Sequence, residues 1–284
     1  MKRFLTILAV LMMIAGISLL AYPTAGSWWR DRIQANIAQT YYESTLEMCQ
    51  EEIDEHFRRA REYNDFVGEL SSSGILLLGE RAIMPDDYEE ILNVDGVMAR
   101  LEIPVINLDL PILHGTYGTT MENGVGHLEG SAFPTGGYGT HSVLTTHSGM
   151  AGVTLFSELH YVMVGDYFFI SVLGERLAYQ VRDIYVIYPH EIESLRAVPD
   201  ADIVTLITCT PFAVNTHRLL VRGYRVPYVF EVLEEVFDEI LMIDRHLSAW
   251  GGMLLAAGLI LAKMAHYKTR ARHTHQRPAD VSVV

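Results

Sequence analysis

The chain has only two cysteines in 284 residues, Cys49 and Cys209. A disulfide framework and a cysteine-rich zinc site are therefore excluded. Basic residues are also scarce, 21 Lys and Arg against 35 Asp and Glu, which leaves a formal net charge of -14. Phosphate contacts need clustered cations, so nucleic acid is not an expected partner. There is no internal repeat and no low-complexity tract. What the chain has in quantity is apolar: 50% of residues are hydrophobic, and the mean hydropathy of +0.17 is high for an ordinary soluble protein.

Two apolar runs account for much of that excess. After Lys2 and Arg3, residues 4–22 carry no charge and are close to the length of a membrane-crossing helix. Trp28 and Trp29 follow where an interfacial belt would lie, and the leading basic residues favour a cytoplasmic N-terminus. A cleaved signal peptide shares these features, but no clear small-residue cleavage site follows Leu20. A second run, residues 247–262, begins near Trp250 and is followed by Lys263, Lys268, Arg270, Arg272 and Arg277, as a stop-transfer segment would be. The expected topology is a two-pass cell-membrane protein with both termini inside and its catalytic domain extracellular.

Between the runs the pattern changes twice. Residues 30–69 repeat apolar positions at helical spacing, which predicts an amphipathic arm. Ser71, Ser72, Ser73 and Gly74 break it, and Pro85-Asp86-Asp87 leads into a short helix at 88–92. From Met98, short apolar runs alternate with Gly, Pro, Asn and Asp. These predict strands at 99–106, 111–114, 124–128, 142–146, 167–172, 177–187, 202–208 and 219–226, with one short helix at 153–159. Eight strands at this spacing suggest a closed barrel, because closure removes exposed edges. The expected fold is thus mainly β: an eight-stranded barrel with an N-terminal helical arm, flanked by two transmembrane helices. The expected divisions are 1–26 anchor, 27–93 arm and lid region, 94–230 barrel, 231–246 juxtamembrane helix, 247–262 span and 263–284 basic cytoplasmic tail.

Cys49 sits in a charged helical stretch with no nearby site and reads as a small buried hydrophobe. Cys209 ends the apolar run Thr205-Leu206-Ile207-Thr208, and Pro211 stops strand pairing just beyond it. A cysteine nucleophile needs its thiolate, which neighbouring positive charge favours. Arg218 lies nine residues on, at the start of the next predicted strand, and an antiparallel pair would bring the two together. His147 ends another apolar strand before the Ser148-Gly149 turn and is the candidate acid/base. Coupled groups titrate together, so an ion pair and a neutral thiol beside a neutral ring are both compatible with the sequence. His127, His141 and His217 are assigned structural hydrogen bonds, since a cysteine mechanism needs one acid/base and no metal or cofactor.

The segment TLITCTPFAVNTHRLLVRGYR, residues 205–225, resembles the signature of the sortases. GHLEGSAFPTGG, LTTH and Glu102-Ile103-Pro104 resemble the pilin-polymerising class C branch, and the likeness extends over about residues 94–228. The resemblance implies a sortase barrel that cleaves Leu-Pro-x-Thr-Gly-like sorting signals between Thr and Gly. The acyl group then passes to a pilin lysine or a cell-wall amine. It implies Cys209 as nucleophile, His147 as acid and then base, and Arg218 as stabiliser of substrate and oxyanion. Leu206 and Thr208, on the same strand, are the expected substrate-binding residues. The expected partners are pilins or surface proteins bearing such signals, together with the membrane.

The chain departs from the class C pattern in two places. It has no Asp-Pro dipeptide for the lid that usually plugs the site, and Ser148 follows His147 where Arg is common. An altered lid would use Ile75-Leu76-Leu77-Leu78 or the stretch containing Met84, Pro85, Asp86 and Tyr88. The alternatives are a sortase that anchors single proteins, a hydrolytic cysteine protease, and a non-enzymatic two-pass binding protein with Cys209 simply buried.

Overall fold

The computed structural model describes residues 40–149 and 153–227, with Phe4, Met12, Gly16, Asn36 and Ile37. Both predicted membrane runs fall almost entirely outside these residues, and no helix among the described residues is long and apolar enough to cross a membrane. The chain divides after Tyr228, and the second unit, 229–284, also lies outside the described residues.

Eight strands close into a barrel: β1 Ala99–Ile103, β2 Leu108–His114, β3 Val125–His127, β4 Thr140–Thr145, β5 Tyr167–Val172, β6 Glu175–Ile187, β7 Asp202–Thr210 and β8 His217–Val226. Their order around the barrel is β1-β2-β3-β4-β7-β8-β6-β5, and β1 pairs with β5 to complete it. The β2–β3 and β4–β7 pairs are parallel and the rest antiparallel. Closure leaves no ladder edge open to other chains.

Successive strand residues point to opposite faces. Leu144, Leu206 and Val221 join Leu101, Ile112, Phe168 and Tyr179 in the main core. Their neighbours Val143, Ile207 and Leu220 form a second cluster with Leu195 on the other face of the same three strands. The wall made by β4, β7 and β8 is therefore apolar on both sides. Its outer layer is covered by Leu78, Leu128, Ile187 and Ile192.

Several boundaries differ from those read off the pattern. β1 stops at Ile103 because Pro104 has no N–H to donate, and a 3-10 turn runs from Pro104 to Ile106 with Asn107 in the left-handed region. The predicted helix at 153–159 is a 3-10 segment, Leu155–Tyr161, and that at 88–92 is the 3-10 turn Tyr88–Glu90. The arm is broken at Met48 and Cys49: helix runs through Glu47 and restarts as Gln50–Ser72. Cys49 is extended and exposed there rather than buried, because it caps the break between two helices, and Glu51 and Glu52 suit the positive end of the new helix. The most consequential difference is at β7 and β8, which run two residues past the predicted ends through polar positions, from 202 to 210 and from 217. Cys209 and Arg218 therefore lie within the antiparallel ladder expected to bring them together.

The long helix buries Phe57, Ala60 and Asn64 at helical spacing, together with Tyr63. Asn64 accepts from the Phe133 amide at 2.7 Å and donates to Thr135 Oγ1 at 3.1 Å, docking the helix on the loop that precedes β4. Tyr41 donates to the Met98 carbonyl at 3.0 Å and accepts from the Leu173 amide at 2.9 Å. The residues ahead of the long helix are thereby fastened to β1 and to the β5–β6 turn.

Two histidines carry the structural roles expected of them. His127 is fully buried, with Tyr88 Oη 2.9 Å from Nδ1 and the Ala132 carbonyl 2.9 Å from Nε2. The carbonyl only accepts, so Nε2 carries the proton and Nδ1 accepts from Tyr88. Burial pushes both His127 and His141 down to about 4, so both rings are neutral in the fold. The unfolded chain takes up protons below about pH 6.5, while the folded rings resist until about pH 4, so stability falls on acidification through this window. Each ring accounts for about 3 kcal/mol across it. Urea unfolding measured between about pH 7.5 and 4 should show this decline, with a shallower slope in His141→Asn. A profile flat below pH 6.5 would exclude two buried neutral rings.

Candidate active site

The outer face of the β4–β7–β8 wall carries the three residues singled out by chemistry. Cys209 and Arg218 are direct cross-strand partners in the β7–β8 ladder. On the other side of β7, β4 runs parallel with Thr145 opposite Ile207. His147 lies two residues past Thr145, as Cys209 lies two past Ile207, so both continue the row that includes Val143 and Ile207. All three side chains are half-buried. The arrangement sets a thiol between an imidazole-bearing and a guanidinium-bearing strand, above an apolar floor of Val143, Ile207 and Leu220.

Backbone and hydroxyl contacts hold the ends of β4 and β7 together where regular pairing ceases. Thr145 Oγ1 donates to the Ile207 carbonyl at 3.1 Å, and the Thr146 amide donates to the same oxygen at 3.3 Å. Thr208 Oγ1 returns a bond to the Thr146 carbonyl at 2.9 Å. The Phe156 amide takes the His147 carbonyl at 3.2 Å, so the histidine backbone is held from the 3-10 segment as well. Leu206 and Thr208 occupy the inward row of β7: Leu206 lies in the main core and Thr208 is buried against Thr146. Their side chains therefore face away from the row that carries Cys209.

The β7–β8 turn shapes the guanidinium. The Pro211 carbonyl accepts from the amides of Val214 at 3.1 Å and Asn215 at 2.9 Å, and Ala213 and Asn215 take left-handed backbone. Arg218 Nη1 donates to the carbonyls of Asn215 at 3.2 Å and His217 at 3.1 Å. A guanidinium has five donors, so the turn uses one nitrogen to aim the group. Phe212 packs on the backbone of Gly149: a Cβ at that position would come within 2.1 Å of its ring. Sequence reasoning saw in Gly149 only a turn and missed this contact, which joins the loop after His147 to the loop after Cys209. His217 Nδ1 lies 2.9 Å from Thr216 Oγ1, and its ring sits 4.5 Å from that of Tyr188.

The two stretches weighed as a lid have different surroundings. Leu78 packs on the outer cluster beside Ile207 and Leu220, on the face that carries Cys209. The Gly79 amide donates to the Glu129 carbonyl at 2.9 Å, and Gly130 receives the chain so closely that a Cβ would lie 1.9 Å from the Leu77 carbonyl oxygen. The Met84–Tyr88 stretch instead anchors into the body of the domain. Tyr88 is buried against His127, Met84 Sδ accepts from Tyr63 at 3.3 Å, Pro85 accepts from the Tyr88 amide, and Asp87 pairs with Arg59. Asp86 faces an acidic cleft with Glu80, Glu89 and Glu129. No cluster of His, Cys, Asp and Glu among the described residues has the arrangement of a metal site.

A family model described as a sortase domain matches residues 101–226. Sortase A of Streptococcus agalactiae serotype III (strain NEM316) is 27% identical over 131 residues, which is 45% of this chain and 52% of the relative. The chain thus spans about half the length of that curated relative, 52%. Among solved structures, sortase C1 of GBS Pilus Island 1 is 39% identical, with a TM-score of 0.64 over 68% of this chain and 98% of that one. A lid mutant of Streptococcus agalactiae sortase C1 is 38% identical, with a TM-score of 0.64 over 68% of this chain and 99% of that one. Sortase C-1 from Streptococcus pneumoniae is 36% identical, with a TM-score of 0.61 over 68% of this chain and all of that one, 100%.

The contact at Gly130 can be tested directly. Gly130→Ala should force residues 77–82 off the outer cluster, because the obstructing atom is a backbone carbonyl and Gly130 has left-handed φ. In a Cys49→Ser background, maleimide labelling of Cys209 should quicken by roughly tenfold, the effect of about 1.4 kcal/mol on local opening. Unchanged labelling with a folded barrel would show that this segment does not shield the thiol.

Proposed function

Because this chain belongs to the sortase family of cysteine transpeptidases, with class C structures among its neighbours, we propose that it cleaves Leu-Pro-x-Thr-Gly-like sorting signals through a Cys209 thioester. The observation that carries the reading is the row across the wall, with Cys209 directly opposite Arg218 and His147 two residues past the end of the adjoining parallel strand. Cys209 Sγ, as thiolate, attacks the Thr carbonyl carbon. A C–S bond forms, and the Thr–Gly C–N bond breaks through a tetrahedral oxyanion. His147 gives a proton to the departing glycine amine and takes one from the incoming amine, which attacks the thioester and frees the thiolate. Arg218 donates to the oxyanion from a guanidinium already aimed by the β7–β8 turn, so little reorganisation is needed in the transition state.

The acceptor is read as a pilin lysine. The likeness to sortase C1 of GBS Pilus Island 1 supports this reading, as does the LTTH and GHLEGSAFPTGG resemblance. The two apolar runs at 4–22 and 247–262 are read as membrane spans holding the barrel outside the cell, on the strength of their length, flanking tryptophans and C-terminal basic cluster. The run at 75–78 is read as an apolar lid, because Leu78 lies on the floor of the catalytic row.

The test uses the full chain in detergent with a Leu-Pro-x-Thr-Gly peptide and excess amine. Intact mass should show an acyl adduct on Cys209, and the product should be an amide of the added amine. Cys209→Ala should form none. His147→Ala should slow turnover by about 10²–10⁴-fold. Arg218→Ala should slow it by about 10²–10³-fold, the usual effect of losing an oxyanion donor. Free acid alone in excess amine would indicate a hydrolase, and an unmodified Cys209 in a lid-displaced variant would overturn the reading.

A further inference from the structure

The connection from β6 to β7, residues 188–201, starts at the catalytic row and runs down the outer face. Ile187, just before it, is the cross-strand partner of Arg218. Four consecutive residues near its far end are each fixed. The Ser194 carbonyl accepts from Arg222 Nη2, and the Leu195 side chain is buried with Val143, Ile207 and Leu220. The Arg196 carbonyl lies 3.0 Å from His141 Nδ1, and the Ala197 amide donates to Ser71 Oγ at 3.2 Å.

His141 links this loop to β7 as well, with Nε2 2.7 Å from Thr205 Oγ1. The Arg196 carbonyl only accepts, so Nδ1 holds the proton and Nε2 accepts from the threonine hydroxyl. The neutral ring is satisfied at both nitrogens, as burial requires. Thr205 and Arg222 are themselves cross-strand partners, and the Arg222 guanidinium also lies over the Tyr185 ring, 5.2 Å from its centroid.

The placement repeats strand by strand. β4 carries His141, and His147 lies two residues beyond its end; β7 presents Cys209 and, four residues earlier, Thr205; β8 presents Arg218 and, four residues later, Arg222. Each strand that supplies a catalytic side chain thus supplies a polar anchor lower on the same face, with the apolar floor between the two layers. Resting on the reading of Cys209 as the peptide-cleaving nucleophile, we propose that His141, Thr205 and Arg222 form a positioning layer. It locks residues 194–197 as the wall of the substrate groove, with His141 as its central residue. The layer touches neither the thiol nor the scissile bond. Its effect is to hold the bound peptide against the row above, so it contributes to binding in ground and transition states alike. Ser71 adds the end of the N-terminal helix to the same loop, so the wall and the segment leading to the lid share an anchor.

The experiment measures two quantities on the full chain in detergent. Hydrogen exchange of the 192–197 amides reports the clamp without any substrate, and steady-state transpeptidation of a Leu-Pro-x-Thr-Gly peptide reports its consequence. His141→Leu should speed exchange in 192–197 by about tenfold or more while β1 and β2 amides keep their protection. It should raise KM about tenfold and leave kcat within about twofold, the signature of lost uniform binding. His141→Asn, which keeps a donor for the Arg196 carbonyl, should recover part of the KM. Thr205→Val, nearly isosteric and without the hydroxyl, should move both readouts in the same direction if His141→Leu fails to fold. Alkylation of Cys209 by iodoacetamide should be unaltered in every variant. Unchanged exchange in folded His141→Leu or Thr205→Val overturns the clamp. Faster exchange with unchanged KM overturns its role in the groove, and a fall in kcat with altered alkylation would place His141 in the chemistry instead. A wild-type chain that never reacts with the peptide marks failure of the functional reading, and the exchange result distinguishes the two.

Discussion

The ladder between β7 and β8 continues through Cys209 and Arg218 to Thr210 and His217 before the chain turns. A thiol on a loop would sample many positions relative to a guanidinium on another. On adjacent antiparallel strands, directly opposed side chains are held about 5 Å apart at Cβ. The same ladder sets which face each residue takes, because the side-chain period of a strand is two and a slip of one residue would send the whole row into the core. The position of the row that holds Cys209 and Arg218, the apolar floor under it and the polar layer below the floor all follow from this register.

A wall buried on both sides makes that register hard to change. Inward, Leu144, Leu206 and Val221 belong to the main core; outward, Val143, Ile207 and Leu220 are covered by the β6–β7 connection and by Leu78. Moving any of the three strands would expose one apolar set and bury polar neighbours, which costs free energy on both counts. The candidate site therefore rests on a rigid support, while the loops around it are fixed at a few points: Phe212 on Gly149, Leu77 on Gly130, and residues 194–197 on three strands and a helix. Rigid strands with pinned loops around them suit the proposed reaction, in which a thiol, a ring and a guanidinium meet one carbonyl.

Legibility differed by element for physical reasons. Barrel strands such as 167–172 could be read to the residue as short apolar runs between turn residues. The polar ends of β7 and β8 could not, since Cys209, Thr210, His217 and Arg218 carry no hydrophobic signal and are held in strand by pairing with each other. The break at Cys49 was hidden because the apolar spacing continues across it. Tyr88 opens a short helix predicted in a polar stretch with no signal of burial, yet it is buried because two buried groups, the His127 ring and the Gly115 amide, meet at its hydroxyl.

The sequence by itself determined the candidate residue types. One cysteine at the end of an apolar strand, an arginine nine residues on and a histidine closing another strand supply a thiol, a fixed cation and an imidazole, whose reactivities suit the proposed nucleophile, donor and acid/base. It also determined a barrel of eight short strands, through alternation and turn residues. Only the tertiary structure decided which strands lie side by side, since the parallel β4–β7 pairing joins segments about sixty residues apart and no local pattern encodes it. That pairing put His147 in the row of Cys209, turned Leu206 and Thr208 away from it, and gave His141 a loop to hold.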